Sequence, residues 1–160
     1  MKKVIAKLLI LAAAFCQTAL AQTPANAATT EGDKILGIWE SGSGKARVKI
    51  IKSGNFYYGR IVWLREPNNE EGKPKVDKNN PDETKRQTPL LGMRMLAGFE
   101  FKGSNLWEDG TIYDPESGST YNCKINLEDD NTMNIRGFIG ISAFGRTDVW
   151  KKMARQPATN

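Results

Sequence analysis

The 160-residue chain contains no histidine. That removes the serine–histidine and cysteine–histidine nucleophile pairs and the usual zinc sites. Carboxylates, one or two cysteines, arginines and aromatics remain for chemistry. Paired carboxylates can do acid–base work on glycosidic bonds. Two such pairs are Glu108 with Asp109 and Asp114 with Glu116. Neighbours on a strand point to opposite faces, so Glu108 and Asp109 do not converge; Asp114 and Glu116 flank a turn, where acids are ordinarily solvated. The run Asp77-Lys78-Asn79-Asn80-Pro81-Asp82-Glu83 offers oxygens of the kind calcium takes, but Pro81 stands where an EF-hand loop needs glycine. Asn80 and Asp82 are equally suited to bonding their own backbone and setting a turn before Arg86. Cys123 falls on the apolar face of a strand pattern, with no histidine to lower its pKa, and reads as a small core residue. No nucleophile–base pair and no metal-ligand set can be named, and no cofactor is implied. A hydrolase using loop carboxylates is the one enzymatic alternative left.

The aromatic residues say more. Trp39, Tyr57, Trp63, Trp107, Tyr113, Tyr121, Phe138 and Trp150 all fall on expected strands or strand ends. If they fill the centre of the fold, the protein is a solid scaffold. If they line a cavity, they make an apolar pocket in which Arg47, Arg60 or Arg136 could fix a head group.

The elements that must position these groups are strands. Residues 107–127 read as strand, turn, strand. Thr111, Ile112 and Tyr113 are strand formers; Asp114-Pro115-Glu116-Ser117-Gly118 supplies the reversal. Tyr121, Cys123, Ile125 and Leu127 then alternate with polar residues, the period of a strand with one dry face. The same reading gives strands at 36–41 and 45–52, with Ala46, Val48 and Ile50 facing in. It gives a third at 56–64, with Tyr57, Gly59, Ile61 and Trp63 on one side, then 93–101, 132–139 and 142–151. Thr88-Pro89 offers a short helical start. Residues 65–88 form one long, polar, proline-bearing loop, a lid or rim in position. The expectation is an all-β fold: an eight-stranded antiparallel up-and-down barrel with one long loop and at most one short helix, a sandwich being the alternative.

Residues 1–21 read as a signal peptide: Lys2, Lys3 and Lys7, an apolar stretch, then Ala19-Leu20-Ala21. That stretch is shorter than the roughly 18–20 residues of a spanning helix. Residues 22–34 read as a flexible leader, 35–153 as a single barrel domain and 154–160 as a loose tail. The 23 basic residues fall to 20 without the three lysines of 1–21, against 18 acidic ones, leaving +2. Net charge therefore gives nucleic-acid binding no support. Without Cys16 only Cys123 remains, so no internal disulfide can form. The expectation is a periplasmic or secreted protein that does not span the membrane after cleavage.

Gly37-x-Trp39 on the first strand with an arginine on the last resembles the lipocalin pattern. There the tryptophan closes the barrel floor and a late arginine packs across it; Arg146 is the first candidate here and Arg136 the second. A second likeness spans nearly the whole expected domain. It comprises Gly37-Ile38-Trp39, Lys45-Ala46-Arg47-Val48-Lys49-Ile50, Gly59-Arg60-Ile61-Val62-Trp63, Asn80-Pro81-Asp82 and Pro89-Leu90-Leu91-Gly92. It continues with Trp107-x-x-Gly110-x-Ile112-Tyr113-Asp114-Pro115-x-x-Gly118-x-x-Tyr121, Arg136-Gly137-x-x-Gly140, and Gly145-Arg146-Thr147 with Trp150. In these the chain resembles the exported bacterial proteins of domain-of-unknown-function family 2147. The resemblance implies a lipocalin-like barrel and export, and no catalytic residues. The functional expectation is a binder of a small apolar or amphipathic molecule. Trp39, Arg47, Tyr57, Arg60, Trp63, Trp107, Tyr113, Tyr121, Arg136, Arg146 and Trp150 would serve the pocket or its closure. A cell-envelope module that meets a protein or glycan is the alternative.

Overall fold

In the computed structural model, which describes residues 30–154, the period-two stretches become eight strands. These are β1 (Gly37–Glu40), β2 (Ala46–Ser53), β3 (Phe56–Leu64), β4 (Arg94–Gly103), β5 (Leu106–Asp114), β6 (Ser119–Asp129), β7 (Thr132–Phe138) and β8 (Arg146–Lys152). Each pairs antiparallel with the next, and β8 returns to β1, closing the barrel. Closure leaves no long unpaired edge, the weakness of open sheets. β1 meets β8 only at Trp39–Lys152 and Glu40–Lys151. The seam is therefore sealed near one end and parts towards the other. Among the described residues no helix is long and apolar enough to cross a membrane.

Connectivity gives the barrel two unlike ends. The tight turns after β2, β4 and β6 share one end with the segment that enters β1. There the last part of the expected leader is ordered: Glu31–Ile35 is a short 3₁₀ turn, with Gly32 and Ile35 buried. The signal peptide at 1–21, the leader over 22–29 and the tail from 155 onward lie outside the described residues. Ile35 O accepts from Trp39 Nε1 at 2.8 Å. Asp33 Oδ1 accepts from Tyr57 Oη at 2.9 Å and from Lys52 Nζ at 2.8 Å. Lys52 holds the Asp33 carboxyl down to about 2. This 3₁₀ turn plugs the floor, and above it Trp39, Trp107, Trp150, Tyr57 and Phe99 are fully or nearly fully buried. Tyr57 meets Trp107 edge to face at 6.3 Å.

Inward positions follow the expected alternation on β2, β6 and β7. On three strands an irregularity resets it. Val48 pairs with Ile61 but Arg47 with Trp63, so Val62 is an extra residue. A bulge shifts the side-chain phase by one. Trp63, expected on the face of Tyr57 and Ile61, is turned outward, and Leu64 turns in. On β4 the buried Leu96 and Phe99 are three apart; on β5 so are Trp107 and Gly110, with Asp109 at φ 62° between them. Gly110 lies directly under the Phe99 ring, where any Cβ would strike it.

The loop between β3 and β4 is ordered by its own polar groups. Asn80 Oδ1 accepts from Asp82 N at 2.9 Å, Asp82 Oδ1 from Thr84 N at 3.1 Å, and Asn80 O from Arg86 Nε at 2.9 Å. This is the turn that Asn80 and Asp82 were expected to build. The one helical turn of the loop falls at Glu83–Lys85, before the expected start at Thr88-Pro89, because Asp82 supplies the cap. The last strand begins at Arg146 rather than at 142, since Ser142–Phe144 forms a further 3₁₀ turn.

Candidate ligand cavity

The opposite end gathers the β1–β2 turn, the long β3–β4 loop, the β5–β6 turn and the β7–β8 connection. Between them lies a cavity of about 960 Å³, open at the mouth. Ile61, Leu64, Met95, Ile112, Ile135 and Trp150 form its apolar wall, and Tyr121 adds a hydroxyl. The volume exists because the inward residues of this half are smaller. Gly137, which faces inward between Ile112 and Tyr121, leaves space that a side chain there would take. At the lip, Phe138, Ile139 and Phe144 also line the opening. Phe144 is 83% exposed, Ile139 75% and Ile141 63%, the largest exposures among the bulky apolar residues. Such an apolar group is what an interaction or ligand surface leaves in water.

The rim is charged, and most of its charges are matched. Lys45 on the β1–β2 turn bonds Glu116 on the β5–β6 turn at 2.7 Å, joining strands that are not neighbours in the sheet. Lys75 bonds Glu66 at 3.0 Å and lowers its pKa. Asp114 accepts from Glu116 N at 2.9 Å and Ser117 Oγ at 2.7 Å. Asp148 accepts from Trp150 Nε1 at 2.7 Å and Gly42 N at 3.3 Å. Each mouth carboxylate thus has its own hydrogen-bond partner. Among the described residues no group of three His, Cys, Asp or Glu side chains could hold a metal ion.

The long loop is pinned beside the mouth as part of the rim. Asp77 is buried and accepts from Tyr113 Oη at 2.8 Å and Asn80 Nδ2 at 2.6 Å. Burial, then Asp77, pushes the Tyr113 phenol up to about 12, so it stays a neutral donor. Asn79 Nδ2 donates to Glu116 O at 2.8 Å and Pro115 O at 3.3 Å.

The residues proposed from sequence separate into three groups. Tyr121, Trp150 and Arg146 line the cavity. Trp39, Tyr57 and Trp107 face inward but fill the floor, well below it. Arg47, Arg60, Trp63, Tyr113 and Arg136 face away from the interior, which corrects the expectation that Arg47, Arg60 or Arg136 holds a head group. Arg47 stacks on Trp63 at 4.3 Å and bonds Glu40 Oε2 at 2.8 Å. Arg60 donates to Gly92 O at 3.0 Å. Arg136 donates to Ser142 O at 2.7 Å, Ala143 O at 3.0 Å and Thr147 Oγ1 at 2.8 Å, and so braces the lip from outside. The cation over Trp39 is neither Arg146 nor Arg136 but Lys152, whose Nζ stands 5.2 Å from the ring and donates to Lys34 O at 2.8 Å. Lys152 is the residue paired with Trp39 across the seam, whereas Arg146 starts β8 at the other end. Cys123 is buried, and burial pushes its thiol up to about 12, which makes it inert. Sequence reasoning missed Arg65, Leu64, Met95 and Ile135 as lining groups; the inward alternation of β7 already carried the signal for Ile135.

The model of the family described as "Uncharacterized protein conserved in bacteria (DUF2147)" matches residues 37–152. The chain belongs to the DUF2147 family. The matched span runs from the first residue of β1 to the last of β8, so the family unit is the barrel itself. This DUF2147 barrel is also similar to a solved structure described as "Protein HP1028 from the human pathogen Helicobacter pylori belongs to the lipocalin family". The TM-score is 0.66 at 18% identity, covering 75% of this chain and 83% of that one. At that identity the likeness carries the fold: the barrel is lipocalin-like. No curated protein matches the chain.

Proposed function

We propose that this DUF2147 protein is an exported, non-catalytic binding protein that holds a small apolar or amphipathic molecule in the mouth of its barrel. The observation that carries the reading is the cavity of about 960 Å³ above a floor filled with aromatics. Ligand pockets are typically 300–1,000 Å³, largely apolar, with a few polar groups fixing orientation. The apolar wall, the Tyr121 hydroxyl and the charged rim match that description. The signal peptide expected over residues 1–21 supports export to the periplasm or beyond. The exposed lip favours a second reading, a surface that meets another envelope component.

Titration with the neutral fluorophore N-phenyl-1-naphthylamine tests the first reading. Saturable binding is expected, and Gly137→Val, which fills the cavity, should weaken it at least tenfold while leaving the melting temperature near that of the parent. Binding that fails to saturate, or that ignores Gly137→Val, overturns it. Native mass spectrometry of protein purified from its own envelope would then show whether a small molecule travels with it.

A further inference from the structure

We propose that the cavity rim is an anion seat: Arg65 and Arg146, on either side of the β1–β2 turn, take the carboxylate or phosphate head of an amphiphile whose chain lies along the apolar wall. The proposal rests on the reading above and gives it a ligand class. Eight charged side chains line the opening: Lys45, Lys75, Arg65 and Arg146 against Glu66, Asp114, Glu116 and Asp148. Their charges cancel, but their hydrogen bonds do not. Two lysines are spent on Glu116 and Glu66. Asp114 is spent on its own turn. Asp148 is spent on an indole N–H and a backbone N–H. The guanidiniums of Arg65 and Arg146 have no ion pair and no side-chain hydrogen bond among the described residues.

A guanidinium is five donors and no acceptor, in a fork that fits two oxygens of a carboxylate or phosphate at once. Both forks are also placed. The backbone of Arg65 donates to Lys45 O at 2.8 Å, and its guanidinium lies over Gly44, where any side chain would strike it. Arg146 is in register with Gly137 on the inward side, so the space beside it is open. The hydroxyls of Ser41 and Ser43, 3.2 Å apart, sit on the turn between the two. Asp148 lies one inward step below Arg146 on β8, in register with Ile135. Its negative charge keeps an anionic head from descending and so holds the head at the rim and the chain below it.

The test is displacement of N-phenyl-1-naphthylamine by four ligands of equal chain length: dodecanoate, dodecyl phosphate, dodecanol and dodecyltrimethylammonium. One or both anions should displace it about tenfold more tightly than the alcohol, the size of an unmatched charge-assisted bond, and the cation should be weakest. The two anion arms separate a fatty-acid source from a phosphate-headed one. Arg65→Gln with Arg146→Gln should abolish the anion preference and leave dodecanol unchanged; Lys45→Gln, which removes an already paired charge, should leave the preference intact. Equal displacement by anions and alcohol, or a preference that survives the double substitution, overturns the anion seat while the cavity reading stands. If the fluorophore itself does not bind, the cavity reading fails first and the seat falls with it.

Discussion

The floor and the mouth of this barrel are built from the same eight strands, yet one is solid and the other hollow. At the floor Trp39, Trp107, Tyr57 and Phe99 are buried above a 3₁₀ plug, and the seam between β1 and β8 is hydrogen-bonded. At the mouth Gly137 leaves space between Ile112 and Tyr121, the seam parts, and loops stand in place of a plug. The difference teaches that alternation decides only whether a position faces in. The volume placed there decides whether the interior packs at protein density or stays open. Stability should therefore reside in the floor and ligand chemistry in the mouth.

That division can be broken in order of expected effect. Trp39→Ala removes the central floor residue and the donor to Ile35 O. It should cost about 3–5 kcal/mol in urea denaturation, a large share of a domain's usual stability. A loss below about 1 kcal/mol would mean that the floor does not hold the fold. Tyr57→Phe removes one hydrogen bond to Asp33 and should cost about 1 kcal/mol. The floor also carries a pH signature. Asp33 is lowered from an ordinary 3.8 to about 2, so its contribution is present above the higher value and is lost as pH falls towards the lower one. The urea midpoint should drop through that window, and Asp33→Asn should remove that part of the drop; identical acid profiles would separate the plug from the floor.

At the mouth the effects should be functional and local. Arg136→Ala cuts two bonds to the lip and one to Thr147 on β8, so amide exchange should quicken over 139–145 and stay unchanged on β2 and β6; a uniform increase would tie the lip to the global fold. Phe144→Ser should move stability by less than about 0.5 kcal/mol while weakening N-phenyl-1-naphthylamine several-fold. A large melting shift with unchanged probe binding would invert the comparison.

The faces of β2, β6 and β7 were legible because alternation is local: Val48, Cys123, Ile125 and Met133 each declare their side by their neighbours. Trp63 was not, because one added residue opposite Arg47 is a property of pairing and leaves no mark in the strand's own pattern. Arg47 and Arg60 already stood opposite Val48 and Ile61 in that pattern, and their distance from the cavity follows directly. The Trp39 partner was misplaced because a cation can cap an indole only from the register position beside it. That position belongs to Lys152.

The sequence alone determined most of the strands, their turns and the long loop, since period two and turn chemistry act between residues a few positions apart; Trp39 at the floor came from the lipocalin resemblance. Only the tertiary structure decided that the upper half is hollow, that Arg65 and Arg146 stand unmatched at its rim, and that the leader's end is a plug. Those facts depend on volumes and charges brought together from strands far apart in the chain, and no local pattern encodes such sums.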